Sequence, residues 1–169
     1  MNDIEIDGGT YREIADESTP RHIASTDITY FACEFSTFAL SDENELSGRL
    51  YALEAHIRGG TATITQKHHD RNGNGGSKAF KAHAAFINRL ATVIKKHDLV
   101  KYNGHVCKTS GLPDMYGAKL DIRYASGESV YAYDNGDNFL TPEAMKQLVS
   151  LFKANQNQTK RRKCYVHLR

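Results

Sequence analysis

The segment GLPDMYGAKLDIRYASGESVYAYDNGDNFLTPEAMKQLVSLF, Gly111 to Phe152, specifies a β-hairpin followed by a capped helix more firmly than any other part of the chain specifies a structure. From Ala118 to Tyr124, the residues Leu120, Ile122 and Tyr124 alternate with Lys119, Asp121 and Arg123, which is the period of a half-buried strand. Ser126-Gly127 reads as a two-residue turn. With Ala125 and Glu128 flanking it, Tyr124 faces Ser129, Ile122 faces Tyr131 and Leu120 faces Tyr133, so the aliphatic and aromatic residues share one face and the charged ones form a solvated surface. Asp134 to Asn138 (DNGDN) breaks the second strand. Thr141-Pro142-Glu143 then opens a helix with an oxygen-bearing N-cap, proline at the first helical position and an acid in the first turn. Leu140 and Met145 have the spacing of a hydrophobic staple, and Met145, Leu148, Val149 and Phe152 form one apolar stripe whose natural place is against the hairpin. Core packing is the preferred role for Met145, ahead of a ligand pocket.

The run SGESVYAYDN followed by LTPEAMKQLVSLF, with Leu99-Val100-Lys101-Tyr102-Asn103-Gly104 upstream, resembles a poorly characterised bacterial α+β domain family of unknown function. The resemblance lies mainly in residues 77–152. It implies an α+β fold and supplies no catalytic residues.

Elsewhere the chain divides into an acidic, partly disordered leader (1–25), one α+β domain (26–154) and a basic tail (155–169). Asp27 to Phe38 is β-branched and aromatic on both faces, which suits an interior strand. Arg49 to Arg58 fits either a helix or a strand. Strand is preferred, because Gly59-Gly60 and the threonine-rich segment after it suggest a hairpin. His68 to Gly76 reads as a long loop, and Ser77 as the cap of a helix reaching about His97. The expected fold is thus a curved antiparallel sheet of about five strands with two helices packed on one face.

The 169 residues, 40% hydrophobic and 25% charged, are enough for one domain with its own core and no disulfide or metal staple. No apolar run reaches membrane-spanning length, no signal peptide is visible, and the cysteines (Cys33, Cys107, Cys164) are odd in number and widely spaced. These features point to a cytoplasmic protein. The net charge of +2 conceals an asymmetry: without Lys160, Arg161, Arg162, Lys163 and Arg169, 17 bases face 20 acids.

Several residues suggest chemistry. His68, His69 and Asp70 are of metal-ligating type, but in the Gly59-Gly60 hairpin register His56 pairs with Thr63 and His69 with Leu50, which separates the histidines by about 20 Å at the strand rise. A surface loop is the preferred reading. Asp70 to Gly75 also matches the opening of a calcium loop, yet the twelfth position is Lys81 rather than a bidentate glutamate. Gly75, Gly76, Ser77 and Lys78, read as the start of a helix, are candidates for holding an anion, with a flexible connection as the plainer alternative. Lys160, Arg161, Arg162 and Lys163 could engage nucleic acid or an acidic partner, with a solvated tail preferred. Cys107 and His105 form a site only if the fold pairs thiol with imidazole. A nucleophile elbow, a Cys-x-x-Cys pair, a zincin motif and a dinucleotide fingerprint are all missing from the sequence.

No cofactor is implied. The leading expectation is a non-enzymatic binding domain acting through a sheet face or edge, on a protein partner or a second copy. The alternatives are a metal-dependent or thiol enzyme, and a nucleic-acid binder acting through the tail.

Overall fold

The computed structural model describes the backbone of residues 3–6, 9–15, 18–113 and 116–165, and the side chains of residues 18–113 and 116–154. The fold is α+β. Among the described residues nine strands run β1 (Asp3–Ile6), β2 (Gly9–Ala15), β3 (Ile28–Ser36), β4 (Arg49–Arg58), β5 (Thr61–Asp70), β6 (Gly75–His83), β7 (His105–Thr109), β8 (Ala118–Tyr124) and β9 (Ser129–Asp134). They form one sheet in the order β1-β2-β7-β9-β8-β3-β4-β5-β6. All pairings are antiparallel except β7 with β9, which makes the sheet mixed. Helices α1 (Ala84–Lys96) and α2 (Pro142–Tyr165) cover one face.

The expected five strands become nine for three reasons. The N-terminal stretch contributes β1 and β2, within the segment expected as an acidic, partly disordered leader. His105–Thr109 adds the parallel strand. Ser77 caps no helix: Gly75–His83 alternates and pairs residue by residue with β5, from His69↔Gly75 to Thr61↔His83, so α1 starts only at Ala84. Gly75 permits this junction, because a Cβ there would lie 1.9 Å from the His68 carbonyl oxygen. The loop between β5 and β6 shrinks to four residues, 71–74.

The hairpin of β8 and β9 forms as read, but one residue out of the expected register. Tyr124 N–H donates to the Glu128 carbonyl (3.0 Å) and Gly127 N–H to the Tyr124 carbonyl (3.0 Å), closing a three-residue turn, Ala125–Gly127. Gly127 sits at φ +88°, a left-handed conformation that glycine adopts without Cβ strain. Ile122 therefore faces Val130 and Leu120 faces Ala132. Val130 and Ala132 are buried, while Tyr131 and Tyr133 turn to the opposite face.

The core is continuous between sheet and helices. Phe31 on β3, Phe86 on α1 and Phe152 on α2 meet, with ring centroids 6.1 Å apart for Phe31–Phe152 and 5.3 Å for Phe86–Phe152. Thr141 caps α2 as anticipated: its hydroxyl accepts from Ala144 N–H at 3.2 Å, and Leu140 and Met145 are buried on either side. At the sheet's end, residues 18–27 form a strap. The Glu128 carboxylate accepts from the Ala24 and Ser25 N–H groups, and the buried Asn103 amide donates to the Pro20 and Ser129 carbonyls while accepting from Tyr131 N–H.

Phe152 joins all three layers and is fully buried, so Phe152→Ala should lower unfolding stability by about 3–5 kcal/mol. Urea denaturation followed by far-UV circular dichroism measures the loss.

Candidate functional site

Two helices cover one face of the sheet, and the other face is open. The register gives the open face three rows across β9, β8, β3, β4, β5 and β6: Tyr133-Lys119-Glu34-Ala52-Lys67-Ser77, then Tyr131-Asp121-Ala32-Glu54-Thr65-Ala79, then Ser129-Arg123-Tyr30-His56-Thr63-Lys81. The first row mixes cations with an acid, the second carries Asp121 and Glu54, the third carries Arg123 and Lys81, and tyrosines stand at the β9 end of the first two.

The middle of the face is a connected polar network. Arg123 forks onto Asp121, with Nη2 2.7 Å from Oδ2 and Nε 3.1 Å from Oδ1. Its guanidinium lies over the Tyr30 ring, 4.8 Å from the centroid. The Tyr30 hydroxyl donates to Glu54 Oε1 at 3.0 Å, and His56 Nε2 reaches the same oxygen at 3.1 Å, with its ring 4.9 Å from that of Tyr30. Partial burial, then the bond to Glu54 and the charge on that carboxylate, push the Tyr30 phenol up to about 12, so it stays a neutral donor. The bond to Asp121 raises Arg123 further. Each charge in this network already has a partner, which favours a rigid patterned surface over a reactive centre.

Among the hollows that adjoin the sheet, one of about 270 Å³ lies on the open face beside Glu34, Lys119 and Tyr133, and two more lie beside the strap. Of these two, one of about 450 Å³ lies beside Tyr131 and is lined by Pro20, Ile23, Val106 and Ser129. The other, about 480 Å³, lies on the helix side between α1 and the strap, lined by Ile23, Ile28, Ala91, Ile94 and Tyr124. Neither contains the polar network. No family model, curated protein or solved structure matches the chain.

The histidines and Asp70 separate as their register dictates. His56 pairs with Thr63 and His69 with Leu50. His68 points to the helix side, 6.0 Å from the buried Tyr51 ring, and its pKa is lowered by burial and then by Arg49, Lys153 and Lys78. Asp70 serves its own turn: Oδ1 accepts from Asn72 N–H (2.8 Å) and Asn74 N–H (2.9 Å), and these bonds outweigh desolvation and hold its carboxyl low. The Asp70 carboxylate, first position of the calcium-loop pattern, thus closes a hairpin. Among the described residues no cluster of three or more His, Cys, Asp or Glu is arranged to hold a metal.

Gly75, Gly76, Ser77 and Lys78 lie in strand β6, so the helix N-terminus imagined for an anion does not exist there. His105 gives its ring to Asp134 (3.2 Å) and packs edge-on against Phe139. Burial pushes the Cys33 thiol up, away from reactivity. Residues 155–165, with Lys160, Arg161, Arg162 and Lys163, continue α2, where a basic tail was expected; the side chains of these residues, and all of 166–169, lie outside the described residues.

The open-face network was not anticipated. Its signal was present in Glu54-x-His56 and Asp121-x-Arg123, each pair projecting to one side of a strand, but only the order of strands brings the two pairs together around Tyr30.

Glu128, which anchors the strap, has its carboxyl held below the ordinary value of 4.5 by the Ala24 amide, the Ser126 hydroxyl and the Ser25 amide. A lowered folded pKa contributes stability that is present above the unfolded value and lost as pH falls through the folded one. Glu128→Gln should therefore be less stable than the parent near about pH 6, with the gap closing near about pH 3, as read from urea midpoints at the two pH values.

Proposed function

We propose that the protein is a binding module that presents the open face of its sheet to a protein partner. The observation that carries this reading is the uncovered face itself, with exposed Tyr131 beside an apolar hollow and the Tyr30, Glu54, His56, Asp121, Arg123 network at its middle. Tyrosine and arginine are the residues that protein interfaces favour: large, partly apolar groups with little conformational entropy to lose or a planar set of donors. The hollow between Val106, Ile23 and Tyr131 has the shape to receive one apolar side chain of the partner.

The chemistry of the face argues for protein over nucleic acid. A phosphate backbone calls for a field of one sign. Here Lys119, Arg123, Lys67 and Lys81 are interleaved with Glu34, Glu54 and Asp121. That pattern suits a partner with complementary charges of both signs, and it sets orientation more than affinity.

The test is a photo-crosslinking amino acid placed in living cells at position 131, and in a separate variant at position 88, an exposed position on α1. The module reading expects a discrete adduct from position 131, none from position 88, and loss of the adduct when Arg123→Glu is added. Equal labelling at both positions, or none at 131, would contradict it.

A further inference from the structure

The two edges of the sheet carry opposite charge. Among the described residues β6, at one end of the strand order, has β5 as its single strand neighbour, and β1, at the other end, has β2. From Arg71 to His97, which includes β6 and α1, the sequence holds Arg71, Lys78, Lys81, Arg89, Lys95 and Lys96 and no Asp or Glu. Residues 1–17, which include β1, hold Asp3, Glu5, Asp7, Glu13, Asp16 and Glu17 against Arg12 alone.

The faces match as well as the charges. On β6, Ala79, Lys81 and His83 pair with the open-face residues Thr65, Thr63 and Thr61, while Phe80 and Ala82 pair with the buried Ile64 and Ala62. On β1, positions 3 and 5 pair with positions 12 and 10 of β2, and through Arg12↔Lys108 they stay in the open-face register; positions 4 and 6 share the register of buried Cys107, on the helix side. An antiparallel pairing of β1 from one copy with β6 of another then sets Glu5 against Lys81, Asp3 against His83, Ile6 against Phe80 and Ile4 against Ala82. Acids meet bases on the open side and apolar residues meet on the helix side, with no register slip.

Unpaired edges template further pairing, and lysines on an edge discourage it. Lys78 and Lys81 disfavour a second β6, and Asp3 and Glu5 disfavour a second β1, so both symmetric contacts are repelled and the unlike contact remains. The tail, with Lys160 to Lys163, repeats the sign of β6 and makes a poor occupant of that edge.

We propose that the protein self-associates head to tail, the β1 edge of one copy adding to the β6 edge of the next and continuing one sheet across copies. The contact is heterologous, so it extends into a chain or closes into a ring rather than stopping at a two-fold dimer. With four residues paired it is a weak, salt-sensitive contact that grows with concentration. It does not depend on the open face acting on another protein.

The test is sedimentation equilibrium of the full chain with two charge-swapped variants, Lys81→Glu and the double variant Asp3→Lys with Glu5→Lys, folding being checked by circular dichroism. The parent should show a weight-average mass rising roughly two-fold or more with concentration at low salt, and falling back toward one chain at about 0.5 M salt. Each variant alone should stay at the mass of one chain, and an equimolar mixture of the two should regain the association, because each supplies the edge that the other has lost. Arg123→Glu, which lies away from both edges, should associate like the parent, which separates this contact from the open-face reading. A parent that stays at one chain's mass, variants that associate undiminished, or a mixture that fails to recover would each overturn the proposal.

Discussion

The three-residue turn Ala125–Gly127 governs more of the molecule than its size suggests. With Gly127 in the left-handed region, Tyr124 pairs with Glu128, and every later residue of β9 takes its face from that pairing. Val130 and Ala132 then go under the helices, Tyr131 and Tyr133 go to the open side, and Asp134 arrives beside Cys107 on the parallel strand β7. The same pairing puts Glu128 at the end of the sheet, where its carboxylate collects two backbone amides of the strap. A two-residue turn would have reversed all of this, sending the tyrosines inward and the small residues outward.

Small residues on the inner side of β9 matter because α2 lies above the sheet. Phe152 is wedged against Phe31 and Phe86, and interiors packed at crystal density have little room for added rings. Tyrosine hydroxyls would also need buried partners there. Outside, Tyr131 is exposed and Tyr133 half-buried. The surface chemistry of the open face is in this sense a by-product of what the core could not accept.

The open face is held rigid by its own charges. Asp121, Arg123, Tyr30, Glu54 and His56 satisfy one another across three adjacent strands, so the pattern is preformed and its side chains have little conformational entropy left to lose. The sheet's two ends differ from its middle. There, among the described residues, β1 and β6 each pair with one strand, and the flanking sequence carries charge of opposite sign at the two ends.

Local patterns in the chain were enough to establish the α+β class, strands at 28–36, 118–124 and 129–134, and the Thr141-capped helix with Met145, Leu148, Val149 and Phe152 inward, while 49–58 fits a helix or a strand in sequence and the structure shows the preferred strand, in the Gly59-Gly60 hairpin register. Each rests on a periodicity or a cap read within a few residues. What the tertiary structure decided was non-local or finely balanced. Residues 75–83 are compatible with the start of a helix until β5 offers them a ladder of partners. The choice between a two- and a three-residue turn at 125–127 decides which side chains of β9 enter the core, and the structure puts Val130 and Ala132 there. His105–Thr109 becomes a strand only through neighbours distant in sequence, and the network on the open face exists only because β8, β3 and β4 are adjacent. A sequence carries the spacing of residues along a strand, but which strands lie side by side depends on how the whole core closes.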